Sequence, residues 1–99
     1  MNLEFHPAVQ RDVNEILAWY LRESGEPLAD RFFAAVQEQL KKIAVQPERF
    51  SPYPSNTRFQ RAFIPKFPHI ILFRMKNGHP RITAIKHQKR HPRRGLGRW

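Results

Sequence analysis

The sequence predicts a single α+β domain of order β-α-α-β-β-β, with a helical hairpin packed on one face of a mainly antiparallel sheet. Three observations predict it. Apolar residues recur at helical spacing through residues 9–20 and again through 28–43. Beyond residue 58 the pattern changes to the short, alternating or continuous apolar runs of strands. The pair Asn77-Gly78 then separates the last two of those runs, and both residues accept the positive φ that a two-residue hairpin turn requires.

Each element follows from local chemistry. Leu3-Glu4-Phe5-His6 alternates and reads as a first strand. Pro7 suits a helix start, where its missing N–H is not needed. Val9, Val13, Ile16, Leu17 and Tyr20 form one apolar stripe on a helix to about Arg22, closed by Ser24-Gly25. Pro27 opens a second helix with the stripe Leu28, Phe32, Val36, Leu40 and Ile43, ending near Val45 before Pro47. The short link makes the two helices antiparallel neighbours. Residues 47–57 carry three prolines and read as a loop. Arg58 to Ile64 alternates. His69 to Met75 is nearly continuous apolar sequence, as expected of a central strand covered at least partly on both faces. Ile82 to His87 returns as its hairpin partner. The helices should cover one sheet face. Val13, Ile16, Leu17, Phe32, Val36 and Leu40 are expected to be buried together with Ile70 and Leu72, leaving the opposite face to polar and basic residues.

Composition narrows the function classes. A chain of 99 residues supports one modest core. The absence of cysteine excludes disulfides, thiol nucleophiles and zinc–thiolate sites, and is compatible with a reducing cytoplasm. No apolar run reaches the roughly 18 residues of a membrane span. The N-terminus lacks the apolar centre of a signal peptide. The expectation is a cytoplasmic protein without membrane partners. Charge is divided sharply along the chain. Residues 1–48 hold all 8 carboxylates and 5 of the 18 Lys/Arg, so they carry a net −3; the remaining 13 cations lie beyond, with no carboxylate. Such a cationic half attracts polyanions.

The ordered set of segments "FHPAVQRDVNEILAWY", "ADRFFAAVQEQLKKIAVQPERF", Arg61 followed by Phe67-Pro68, the strand "IILFRM" and the ending H-x-x-R-x-P at His87, Arg90 and Pro92 resembles the RelE/ParE superfamily of bacterial type II toxin–antitoxin toxins. The resemblance spans nearly the whole chain. It departs at His69, where family members usually carry Tyr. It also departs at the C-terminus, where RelE-like nucleases tend to carry a functional Tyr; the last Tyr here is Tyr53. The resemblance implies a growth-arresting toxin held inactive by a cognate antitoxin protein. Its target is the ribosome and its mRNA, if RelE-like, or DNA gyrase, if ParE-like.

Metal-independent RNA cleavage is the expectation taken first, because the cationic half offers His and Arg suited to phosphate chemistry. Cleavage needs an acid and a base around the ribose 2′-OH and cations on the phosphate. With no carboxylate after Glu48, His87 is the best acid/base, and Arg61 and Arg90 could hold the phosphate bidentately. Lys66, His69, Arg74, Lys86 and Lys89 complete the expected RNA- or target-binding set. The alternative for His87 is a ring that only fixes the last strand. The alternative target, gyrase, needs binding and no reaction. A third class is a non-catalytic basic nucleic-acid-binding module, disfavoured because no basic recognition helix is evident. His87 and His91 stand four apart, but cationic neighbours and the following Pro92 argue against a metal site, and no cofactor motif is present. Residues 93–99 are expected to be a flexible basic tail, since little there can be buried.

Overall fold

The structure, a computed structural model, describes residues 3–90 and 93–98. The elements are β1 (Glu4–Phe5), α1 (Val9–Ser24), α2 (Glu26–Val45), a 3-10 turn (Pro47–Arg49), β2 (Gln60–Phe63), β3 (His69–Lys76) and β4 (His79–His87). This is the predicted order. The four strands form one sheet in the order β1-β4-β3-β2. β1 runs parallel to β4, while β2–β3 and β3–β4 are antiparallel.

The helical hairpin turns at Gly25, whose φ of 88° and ψ of 174° lie outside the αL cap conformation but still demand positive φ. Its N–H closes α1 on the Tyr20 carbonyl at 3.0 Å. Pro27, in the first turn of α2, loses no helical hydrogen bond. The β3–β4 turn has Asn77 at φ 52° and Gly78 at φ 81°, as the pair predicts.

The main core lies between the hairpin and the inner sheet face. Val9, Val13, Tyr20, Ala29, Phe32, Val36 and Ile43 meet Ala62, Ile64, Ile71, Phe73, Ile82 and Ile85. Ile16, Leu17 and Leu40 are only partly buried, at the margin of this core. Buried Gln39 crosses from α2 to the sheet and donates its Nε2–H to the Phe63 carbonyl.

The expectation of a polar outer face is corrected here. Ile70 and Leu72 point away from the helices and form a second buried cluster with Tyr53, Phe59 and Ala84. Two chain segments cover that face. The loop after α2 lays Tyr53 across it, tied by the Tyr53 N–H to the Phe59 carbonyl at 2.8 Å. The basic C-terminal segment covers a further part, with Leu96 against the cluster. Gly95 takes φ 90°, and a Cβ there would stand 2.6 Å from the Ala84 Cβ, so the backbone approaches the sheet as only glycine allows. Of residues 93–98, Gly95 is buried and Arg94, Leu96 and Arg98 are partly so, against the expectation for 93–99 that little there can be buried.

A β-bulge explains how the segment is anchored. The register steps from Leu72↔Ala84 to Phe73↔Ile82, leaving Thr83 as the extra residue. Beyond it, β4 outruns the short β1, whose pairing stops at Ile82. Side chains serve that stretch of strand edge instead. Asp12 Oδ2 accepts the Ile85 N–H at 3.1 Å, and Arg98 Nη1 donates to the Thr83 carbonyl at 3.0 Å. Arg98 Nη1 also meets Asp12 Oδ2 at 2.7 Å.

Candidate functional site

Strand alternation and register divide the sequence-predicted site between the two faces of the sheet. His69 pairs across β3–β4 with His87, and their ring centroids are 5.5 Å apart. Both belong to the inner, helix-bearing face, because His69 stands 5.9 Å from the Tyr20 ring and 5.1 Å from the Phe32 ring. Arg90 follows in the turn after β4, exposed and close enough for its charge to act on His69.

Arg61 lies elsewhere. It pairs with Leu72, which pairs in turn with Ala84, and both of those side chains belong to the outer cluster. Its guanidinium sits 4.7 Å from the Phe63 ring centroid, and its Nε is buried without a hydrogen-bond partner among the described residues. Arg74 shares the outer face at the other end of the strand, opposite Arg81. Lys66 and Lys89 are exposed, Lys66 in a turn at φ 71°.

Lys86 requires a correction. It was expected to meet the nucleic-acid backbone, but it is 1% exposed. Its Nζ lies 3.2 Å from the Tyr53 hydroxyl and 4.9 Å from that ring's centroid. Its place in the register, between Ile70 and the free edge, turns it under the Tyr53 loop, where a buried cation is stabilised by the ring and the hydroxyl. His91 and Pro92 of the sequence motif lie outside the described residues.

The electrostatics of the inner corner are basic. His69 is 7% exposed. Burial, then the neighbouring His87 and then Arg90, push its pKa down to about 4. His69 is therefore neutral at physiological pH. His87 accepts a hydrogen bond from the Lys89 N–H at its Nδ1, 3.0 Å away. That contact occupies Nδ1 as an acceptor, so in the neutral ring the proton is assigned to Nε2. Among the described residues no three His, Asp or Glu side chains gather as metal ligands.

The depressed His69 pKa has a consequence for stability. The unfolded chain takes up the proton near pH 6.5 and the folded chain only near 4. Between these values the unfolded state binds more protons, so stability is complete above about 6.5 and falls as pH falls toward about 4. His69→Phe preserves an aromatic ring beside Tyr20 and Phe32 and removes the titration. Urea unfolding of both proteins across this window should show the variant gaining relative to the parent on acidification. A stability difference that does not change with pH would reject this assignment.

Sequence reasoning missed several residues of the inner corner. Trp19, Glu15 and Arg94 border it together with the two histidines and Arg90. Trp19 was legible as an indole off the apolar stripe of α1. Arg94 was not, because nothing local signals that the chain folds back to bring it 3.4 Å from Glu15.

The helical hairpin on a mixed four-stranded sheet is an architecture of the RelE/ParE-like type. Comparison with known proteins narrows this. Residues 3–92 match the family model described as ParE toxin of type II toxin-antitoxin system, parDE, and the chain belongs to that family. A solved structure titled "Chromosomal ParDE TA system from P. aeruginosa" is similar at 19% identity and a TM-score of 0.77, covering 88% of this chain and 95% of that one. No curated protein matches the chain. The chain is thus a type II toxin, for which a cognate antitoxin is the implied partner. No helix among the described residues is long and apolar enough to cross a membrane.

Proposed function

We propose that this toxin arrests growth in the cytoplasm by binding DNA gyrase, in the ParE-like manner, with no bond-making chemistry of its own. The observation that carries this reading is the separation of the expected catalytic groups. Acid–base cleavage of RNA requires a proton acceptor and phosphate-binding cations around one phosphodiester, within hydrogen-bond reach. Here Arg61 lies on the outer face of the sheet and His87 on the inner face, with β3 and β4 between them. Lys86 is enclosed, and the Nδ1 of His87 is taken by the Lys89 N–H. The match to a ParE family model supports the same reading. A binding toxin has no need for convergent groups, since exposed cations and aromatic anchors suffice for an interface.

Purified toxin incubated with gyrase and relaxed plasmid should block supercoiling or trap cleaved DNA, and equimolar antitoxin should relieve it. The same toxin added to translating ribosomes should leave the message intact. Message cleavage with normal gyrase activity would replace this reading with ribosome-dependent RNA cleavage.

A further inference from the structure

At the end of the sheet where His69 and His87 meet, α1 and the turn after β4 border a half-open cavity of about 420 Å³. That volume is in the range of small-ligand sites. Its lining is mixed in kind. It includes the indole of Trp19, 45% exposed and set edge-on to Tyr20 at 5.2 Å. The lining also includes the cations Arg90 and Arg94, with the His69 and His87 rings. Glu15 is the one carboxylate among the lining residues, and Arg94 Nη1 already lies 3.4 Å from its Oε2. Among the described lining residues no second carboxylate stands beside Arg90. Burial is the main cause of the low His69 pKa, and His87 and Arg90 lower it further, which agrees with the cations of this lining.

We propose that this cavity binds a phosphate group that carries an aromatic base, the base stacked on Trp19 and the phosphate held by Arg90. Each half follows from chemistry. A guanidinium binds phosphate through two parallel N–H donors. An exposed indole offers a stacking surface that any nucleobase fits. An inorganic anion would use only the cations, and an apolar ligand only the indole. The ligand that uses both is nucleotide-like. It has two sources, a free mononucleotide or the phosphorylated end of a nucleic-acid strand. Trp19 and Arg90 are exposed, so replacing them should leave the core untouched.

Trp99→Phe leaves Trp19 as the sole fluorophore of its kind, since the chain has 2 Trp. In this background, titration with AMP or with a 5′-phosphorylated oligonucleotide should quench the indole saturably. Inorganic phosphate, followed by calorimetry, should bind roughly tenfold more weakly or worse, having no base to stack. Arg90→Ala should weaken the AMP or oligonucleotide complex by about tenfold or more. Trp19→Leu should reduce AMP binding to the level of phosphate. Tighter binding of AMP assigns the source to a free nucleotide, and tighter binding of the oligonucleotide assigns it to a strand end. Quenching that does not saturate with either probe at millimolar concentration overturns the proposal. So does AMP binding that is unchanged in Arg90→Ala, or no stronger than phosphate binding in the parent.

Discussion

Phe32→Ala should destabilise the protein by about 3–5 kcal/mol, the usual cost of deleting a fully enclosed phenyl ring. Phe32 has no exposed surface. It touches every part of the inner core near the candidate site, with ring centroids 5.4 Å from Tyr20, 5.2 Å from Phe67 and 5.1 Å from His69. These neighbours come from α1, the β2–β3 loop and β3, so none can collapse into the space without moving a whole element. A domain of this size has about 5–15 kcal/mol to lose. The variant should therefore unfold at much lower denaturant, with the midpoint shifted and the slope retained. The adjacent Phe33 is the internal control. It is 44% exposed at the margin of the core, beside Leu17 and Leu21 of α1, and Phe33→Ala should cost only about 1 kcal/mol. Similar losses for the two variants would show that α2 is rotated from the placement described.

The contrast between these neighbours comes from the structure, since the sequence places Phe32 on the helical stripe and takes Phe33 as reinforcing it. Helical period, the Gly25 break, the Asn77-Gly78 turn and the continuous run of β3 are all local signals, and each placed its element correctly. Burial on the outer face was not legible. Ile70 and Leu72 announce that β3 is covered on both sides, but the segments that cover them, the Tyr53 loop and residues 93–98, look polar and turn-rich. They gain their places through long-range contacts that leave no periodic trace. The candidate site shows the same division. His69 and His87 were both singled out, and the register joins them. Arg61 was joined to them by motif order alone. Motif order carries no information about pleat, and one residue of offset moves a side chain to the opposite face. The bulge at Thr83 is invisible in the sequence, although it decides where the edge of β4 is left open.

Asp12→Ala should cost about 2–4 kcal/mol, well above the effect of an ordinary helix-surface carboxylate. The sequence gives one hint of this, a carboxylate among the apolar positions of α1. In the structure Asp12 is 2% exposed and serves two masters at once. Its Oδ2 accepts the Ile85 N–H at 3.1 Å and the Arg98 Nη1–H at 2.7 Å, and Arg98 Nη2 lies 3.4 Å from Oδ1. Arg94 Nη1 stands 3.8 Å from the same carboxylate. Alanine would orphan a buried backbone N–H on β4 and leave Arg98 half-enclosed without its counter-charge. The loss stays below the cost of a wholly buried pair, because Arg98 keeps the Thr83 carbonyl and its side chain has 21% of its surface open to water. Asp12→Asn separates the two roles. It can still accept from Ile85 but carries no charge, so it should cost less than alanine while still loosening the C-terminal segment. Hydrogen exchange reads the difference. In Asp12→Ala the Ile85 amide and the amides of residues 95–98 should exchange faster, whereas in Asp12→Asn only residues 95–98 should. A double-mutant cycle with Arg98→Ala should show a coupling of about 1–3 kcal/mol. Additive effects, with unchanged exchange at residues 95–98, would mean that Asp12 serves only the edge of β4 and that the C-terminal segment is held by Leu96 and Gly95 alone.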